Sequence, residues 1–221
     1  MSVLLRGIMK TVRIQAEGYG ANCWVLIDEE CGDYVLIDPS ATGEAFLDFI
    51  EKRGLKKEGL KYILLTHGHF DHITGADEIR DITGAPLAVH EGDSDCLYDP
   101  DKNAYKYFFR EDLILRPADI ILHDGDVLTL GKNEIKVVHT PGHTLGSVCY
   151  FTEDIIYTGD TLFDRSIGRT DLYGGSQATL EESLRKLVSL EKDYTIYPGH
   201  GSVSTISKQI KFNPYLYGGN L

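Results

Sequence analysis

The sequence predicts an α/β protein in which two β-sheets pack together with helices on the outside. Three observations predict it. Short apolar runs of strand length recur in two blocks, residues 12–90 and 127–158. Each block leads into segments with helical spacing. The strand-like runs also end, four times over, at a glycine beside a His or Asp. Strand blocks that alternate with helices bury their apolar faces most simply as layered sheets with helices outside. The 221 residues can enclose a real core, and no linker, low-complexity tract or charge run divides them. One domain spanning residues 1–221 is therefore expected.

In chain order, residues 10–16 alternate apolar Val12 and Ile14 with polar neighbours, as a half-exposed strand does. Residues 22–28 and 34–38 are continuous apolar runs around a Gly- and acid-rich turn, the signature of a hairpin. A helix over residues 44–53 presents Phe46, Phe49 and Ile50 on one face and ends at Gly54. Tyr62-Ile63-Leu64-Leu65 is a short buried strand. Residues 74–83 read as a helix closed by Gly84, and 86–90 as a strand. Residues 91–116 mix acids with Tyr98, Tyr105, Tyr107, Phe108 and Phe109 and form a helical or irregular excursion. The aromatics there are read as core or interface.

The second block holds strands at 127–130, 134–139, 147–151 and 155–158. The clearest helix follows, with Thr179 as cap, Glu182 completing a capping box and Leu180, Leu184, Leu187 and Val188 as its apolar stripe. Residues 194–197 form the last strand.

The net charge of −12 argues against nucleic acid or anionic membrane as a partner. Two bound divalent ions would bring it to about −8. The composition, 42% apolar and 25% charged, is that of a folded globular protein. Cys23, Cys31, Cys96 and Cys149 show no C-x-x-C spacing, which predicts free thiols and a reducing, cytoplasmic setting. No signal-peptide core precedes Lys10 and no run reaches membrane-span length. Met1 and Met9 are both candidate native starts.

The chemistry concentrates in Thr66-His67-Gly68-His69-Phe70-Asp71-His72, which holds three of the chain's eight histidines just past a strand. Residues two apart do not share a helical face, so a loop is expected to turn these groups onto one point. Three more strand ends repeat the design: Thr140-Pro141-Gly142-His143, Thr158-Gly159-Asp160 and Pro198-Gly199-His200. Asp38, at a strand end before Pro39, is read as an acid that orients a ligand imidazole. His90, His123 and His139 are read as structural or solvated. Arg169 has two readings of equal weight, as a holder of a substrate carboxylate or as a partner of Asp171.

In this order, His67-x-His69-x-Asp71-His72, His143, Asp160 and His200 resemble the metal motif of the metallo-β-lactamase-fold hydrolases, in particular the glyoxalase II-like (hydroxyacylglutathione hydrolase-like) branch. Asp38 matches that family's early acid. The resemblance runs from about Val12 to His200. It implies a four-layer αβ/βα sandwich of two mixed sheets with outer helices, the metallo-β-lactamase fold. It further implies that His67, His69 and His143 hold one metal, that Asp71, His72 and His200 hold a second, and that Asp160 bridges them. Asp71 and Asp160 are then the catalytic carboxylates.

Such nitrogen and oxygen donors, with no Cys among them, suit Zn²⁺ first and Fe²⁺ or Mn²⁺ as alternatives. Two metals about 3.5–4 Å apart activate a bridging hydroxide that attacks an ester or thioester carbonyl. The expected substrate is a small acyl-thiol such as S-lactoylglutathione. Competing readings are a mononuclear iron persulfide dioxygenase of the same fold, a lactone or phosphoester hydrolase, and a non-catalytic metal module. Asp160 stands where zinc β-lactamases generally carry Cys, which argues against antibiotic hydrolysis. His69 is not the Glu of the flavodiiron branch. Only 21 residues follow His200, too few for the helical glutathione-binding domain of full-length glyoxalase II.

Overall fold

The continuous apolar runs are strands buried on both faces, which is why they do not alternate. A computed structural model describes residues 7–15 and 20–216. Ala16, the expected end of the first strand, and the alternative start at Met1 lie outside the described residues. The first sheet contains β1 (Met9–Ile14), β2 (Cys23–Asp28), β3 (Tyr34–Ile37), β4 (Leu60–Leu64), β5 (Leu87–His90) and β6 (Ile120–Leu122), side by side in that order. β1 to β3 pair antiparallel and β3 to β6 parallel. Helices α1 (Gly43–Arg53), α2 (Phe70–Ile73), α3 (Ala76–Thr83) and α4 (Tyr105–Phe109) interrupt the strands.

The second sheet is built from β7 (Val127–Leu130), β8 (Asn133–His139), β9 (Val148–Phe151) and β10 (Ile155–Gly159), then β13 (Thr195–Pro198) and β14 (Ser204–Thr205). Its spatial order is β14-β13-β10-β9-β8-β7, with β10 and β13 parallel. A small hairpin of β11 (Leu162–Phe163) and β12 (Ser166–Ile167) precedes α5 (Gln177–Val188), and α6 (Ile206–Phe212) closes the described chain.

Three clusters of buried side chains mark the layers. Tyr34, Leu36 and Ile63 face α1 and α3, packing on Phe46, Ile50 and Ile79. Their strand neighbours Val35, Ile37 and Leu64 point the other way, into a core shared with Val137, Val148 and Tyr150 of the second sheet. Cys149, Ile156 and Ile196 meet Leu180, Leu184 and Leu187 of α5 on the far side. The result is the expected helix–sheet–sheet–helix sandwich. Truncating a central residue such as Leu64 to alanine costs about 2–5 kcal/mol by the usual cavity effect.

Local chemistry sets most boundaries. Thr42 caps α1, its hydroxyl accepting from Ala45 N, and Gly54 ends that helix at φ 65. The cap of α5 differs from expectation. Ser176, not Thr179, accepts the first-turn N–H, because the helix begins two residues before Thr179 and places it at the third position. The metal-type segment differs too. Only residues 65–69 form a loop; Asp71 and His72 ride on the first turn of α2, with His69 at its N-cap.

The two sheets are tied where the motifs lie. Val148 N–H donates to Thr66 O at 2.8 Å. Trp24 Nε1 donates to Pro198 O at 2.9 Å, and Asn22 Nδ2 reaches Pro198 O and Gly201 O, both at 3.0 Å. These bonds tie the carboxyl ends of β4 and β13 to the opposite sheet along one rim. In open α/β sheets that rim is the usual place for a ligand site.

Candidate metal centre

All seven residues of the motif meet at this rim. The donor atoms of His67, His69 and His143 lie within 4.8 Å of one another, as do those of Asp71, His72 and His200. His67, His72 and Asp160 form a third such group, so the Asp160 carboxylate stands between the other two. Its Oδ2 is 3.5 Å from His143 Nε2 and 3.6 Å from His200 Nε2, and its Oδ1 is 3.3 Å from His72 Nε2. His69 Nδ1 is 2.9 Å from His143 Nε2, and His200 Nε2 is 3.1 Å from Asp71 Oδ2.

Buried polar atoms are normally hydrogen-bonded. Here His67 Nε2, His69 Nε2 and Asp160 Oδ1 are buried with no hydrogen-bond partner. A buried cluster of imidazoles and carboxylates in which three polar atoms lack partners fits divalent cations of the Zn²⁺, Fe²⁺ or Mn²⁺ kind.

Outer contacts hold the rings. Asp38, 1% exposed, accepts Thr66 N–H and the Thr66 hydroxyl at 2.7 Å each and lies 2.9 Å from His72 Nδ1. Its φ of 53 is a left-handed conformation that Asp adopts more readily than most residues. His143 Nδ1 donates to Arg169 O at 2.7 Å, and His200 Nδ1 lies 3.2 Å from Gly20 O. Each contact leaves the opposite nitrogen facing the cleft.

The field divides the site in two. Burial, then the neighbouring imidazoles, holds His67 well below the usual histidine range, and burial with His143 brings His69 down to about 3. Both rings are neutral at physiological pH, with lone pairs free to donate. On the other side burial opposes charge on His72 and His200, but Asp160 and Asp71, joined at His72 by Asp38, outweigh it and raise both. Burial likewise opposes charge on Asp160 and Asp71, and the imidazoles outweigh it and lower both. The carboxylate half thus demands positive charge, which protons supply when no cation does. Metal binding at pH 7 is therefore expected to release protons from His72 and His200, and metal affinity to rise with pH until both rings are neutral. Titrating unbuffered apoprotein with Zn²⁺ in a pH-stat checks this; metal uptake with no proton release contradicts it.

Close approach explains the glycines. A Cβ at Gly199 would overlap Asp160 Oδ1 and stand 2.6 Å from His72 Cε1. Gly199→Ala is expected to fold normally yet lose about 10- to 100-fold in metal affinity, the range seen when groups supporting ligands are disturbed. Circular dichroism and competition against a chelator separate the two effects.

The cleft over these residues encloses about 360 Å³ and is walled by Phe70, Ala104, Phe108, Phe163, Ile167 and Leu172, with Arg169 at one side. Phe108 corrects the core reading of the aromatics. α4 has no buried residue, and its rings stack from outside on Phe70, between His69 and Asp71. Arg169 makes a bidentate pair with Asp171 at 2.6 and 2.7 Å. His139 Nε2 lies 2.9 Å from Leu145 O, His90 stacks on it at 4.1 Å, and His123 is on the surface; none is part of the seven-residue cluster.

One contributor escaped the sequence reading. Asp93, 1% exposed, accepts Gly68 N–H at 2.8 Å, Gly146 N–H at 2.7 Å and the Thr144 hydroxyl at 2.7 Å. It clamps the loop of His67 and His69 to the loop of His143. Its only signal was an acid among acids in residues 91–95.

Nucleophilic cysteine chemistry has no support here. Burial pushes the Cys23 thiol up to about 12 and Cys149 to about 11, so neither is a thiolate at neutral pH. All four cysteines are free. Among the described residues no helix is long and apolar enough to cross a membrane.

The chain and its fold are similar to known proteins. The profile of the Metallo-beta-lactamase superfamily matches residues 16–200. Hydroxyacylglutathione hydrolase GloC of Haemophilus influenzae is 32% identical over 207 residues, 92% of this chain and 96% of that protein. The crystal structure of the B3 metallo-beta-lactamase BLEG-1 superposes with a TM-score of 0.88 at 34% identity, covering 95% of this chain and all of that one. TTHA1623, solved in a di-iron-bound form, superposes with a TM-score of 0.77 at 29% identity, covering 93% of this chain and all of that one.

Proposed function

Since the chain belongs to the metallo-beta-lactamase superfamily, we propose that it is a binuclear metallohydrolase cleaving a small thioester, S-lactoylglutathione or a similar acyl-thiol. The observation that carries the reading is the convergence of two donor triads on Asp160, with three buried donor atoms unpartnered. In this reading His67, His69 and His143 hold one divalent ion, Asp71, His72 and His200 hold a second, and Asp160 serves both. When bound, the ions supply Lewis acidity and bring the pKa of a coordinated water toward neutrality.

The chain's own residues do the rest. Asp38, Arg169 O and Gly20 O fix the tautomers and tilts of His72, His143 and His200. The aromatic and aliphatic walls exclude bulk water and hold the acyl group against the donors. Asp71, 17% exposed beside the cleft, orients the attacking water, whose proton passes to the leaving thiolate. Water's oxygen bonds to the carbonyl carbon, the C–S bond breaks, and acid and thiol leave.

The hydroxyacylglutathione hydrolase activity for which GloC is named and the di-iron form of TTHA1623 support the substrate class and the pair of ions. BLEG-1's name weighs against the exclusion of antibiotics drawn from Asp160, so a β-lactam belongs in the substrate panel. The test is apoprotein reconstituted with Zn²⁺, Fe²⁺ or Mn²⁺ and assayed on thioesters, a lactone, a phosphoester and a β-lactam. Thioester cleavage well above the rest is expected. No turnover of any acyl-thiol overturns the substrate assignment, and oxygen uptake with glutathione persulfide at one iron per chain replaces it with the dioxygenase. The free thiols support a reducing compartment.

A further inference from the structure

Two carboxamides at the C-terminal end of the described chain, Gln209 in α6 and Asn213 just after it, are fully buried and take no part in the seven-residue constellation. A carboxamide has two donor hydrogens and two acceptor lone pairs, and Gln209 uses all four. Its Oε1 accepts from Arg165 N–H at 2.8 Å and from Asn213 Nδ2 at 3.2 Å. Its Nε2 donates to Ser204 Oγ at 2.7 Å and to Asp164 Oδ1 at 3.0 Å. Asn213 Nδ2 also donates to Ser166 O at 3.0 Å. Three consecutive residues, Asp164, Arg165 and Ser166, are thus gripped by one buried and fully satisfied network, the kind that fixes a single geometry.

Those three residues form the tip of the β11–β12 hairpin. Phe163 pairs with Ser166 across it and walls the cleft, its ring centroid 5.9 Å from that of His200. Two strands of two residues do not hold a shape by themselves. Arg165 adds strain, because its φ of 59 persists in a residue with a Cβ only where the surroundings enforce it. The base of the hairpin is fixed separately. Leu162 is buried against α5, the Thr158 hydroxyl donates to Leu162 O at 2.7 Å, and Gly168 lies so close to Asp160 O that a Cβ would overlap it. Release of the tip therefore frees Phe163 and leaves the metal-type residues in place.

We propose that Gln209 is a positioning residue for substrate selection: through the tip of the β11–β12 hairpin it holds Phe163 as a wall for the acyl group. An element with no described residue in the cleft wall, α6, then sets how well bulky apolar acyl groups bind. The inference deepens the thioester reading and rests on it for its kinetic consequence.

The test uses Zn²⁺-loaded protein labelled with 4-fluorophenylalanine, in which Phe163→Leu assigns the Phe163 fluorine resonance. Gln209→Glu keeps the acceptor for Arg165 N–H but sets a carboxylate against Asp164. The Phe163 resonance is expected to shift or broaden in that variant. Adding Asp164→Asn restores a donor for the new carboxylate and should return it. On phenylacetyl and acetyl thioesters of glutathione, Gln209→Glu is expected to raise the phenylacetyl KM about fivefold, in keeping with a loosened apolar wall. Both kcat values, the acetyl KM and the affinity for Zn²⁺ in chelator competition should stay within about twofold of wild type. An unmoved Phe163 resonance overturns the proposal, and so does a KM change equal for the two thioesters, the mark of a merely structural role. If wild type cleaves neither thioester, the thioester reading falls and the fluorine resonance alone decides the positioning role. If Gln209→Glu does not fold, the surface variant Asp164→Ala takes its place: it removes the acceptor of Gln209 Nε2, and a Phe163 resonance that stays put there overturns the proposal.

Discussion

Asp160→Ala is expected to leave a folded protein that retains less than one divalent ion per chain and turns over on the order of 10³-fold more slowly, or worse. The size of the effect follows from position. Asp160 stands within 3.3–3.6 Å of His72, His143 and His200, so its loss removes a donor shared by both triads and not a donor to one. It also removes the negative charge that balances the raised His72 and His200, leaving like charges facing each other across a buried cleft. The backbone around it has its own supports, the Thr158 hydroxyl donating to Leu162 O at 2.7 Å and Thr161 N–H to Thr158 O at 3.0 Å. Metal analysis and steady-state rates on the purified variant check both halves. Full metal occupancy contradicts the shared role.

The second large effect is expected at Asp38, which touches no substrate. Asp38→Ala strips acceptors from Thr66 N–H, from the Thr66 hydroxyl and from His72 Nδ1 at once, all of them buried. Breaking a buried charged network by removing one partner costs roughly 3–5 kcal/mol. Alanine at a φ of 53 adds about 1 kcal/mol, because it lacks the short polar side chain that lets Asp tolerate the left-handed backbone. Metal affinity should fall about 10- to 100-fold as the His72 ring loses its anchor. Asp38→Asn separates these causes. Asn tolerates the same backbone and keeps one acceptor oxygen, so it should recover much of the stability while metal affinity stays reduced. Thermal melts with and without metal report the first quantity and chelator competition the second. Metal affinity within about twofold of wild type in Asp38→Ala would count against the orienting role.

The strand runs and the four strand-end motifs were legible because two strong signals coincided. A sheet buried on both faces writes itself as unbroken apolar sequence, as in residues 23–27 and 34–37. A rim site places a donor and a glycine immediately after each such run, because the backbone must pass close to the opposing ligand, as Gly199 does beside Asp160. What escaped lacks a local signal. Asp93 is one acid of a cluster, and only the fold shows that its oxygens face Gly68, Gly146 and Thr144. The aromatics of α4 suggested a core because large apolar side chains usually bury. Here Phe108 walls the cleft while Tyr105 and Phe109 pack on Phe70, in a helix between the left-handed residues Ala104 and Arg110. The two-residue strands β11, β12 and β14 are too short for any periodicity to mark.

The direct test of the central claim is to load apoprotein with Mn²⁺ and record its electron paramagnetic resonance as the equivalents added rise from one to two. Ions that share one carboxylate are exchange-coupled, so the signal of an isolated Mn²⁺ should give way to that of a coupled pair at two equivalents. An isolated-ion spectrum that persists, with binding complete at one equivalent, would contradict a binuclear centre built on Asp160.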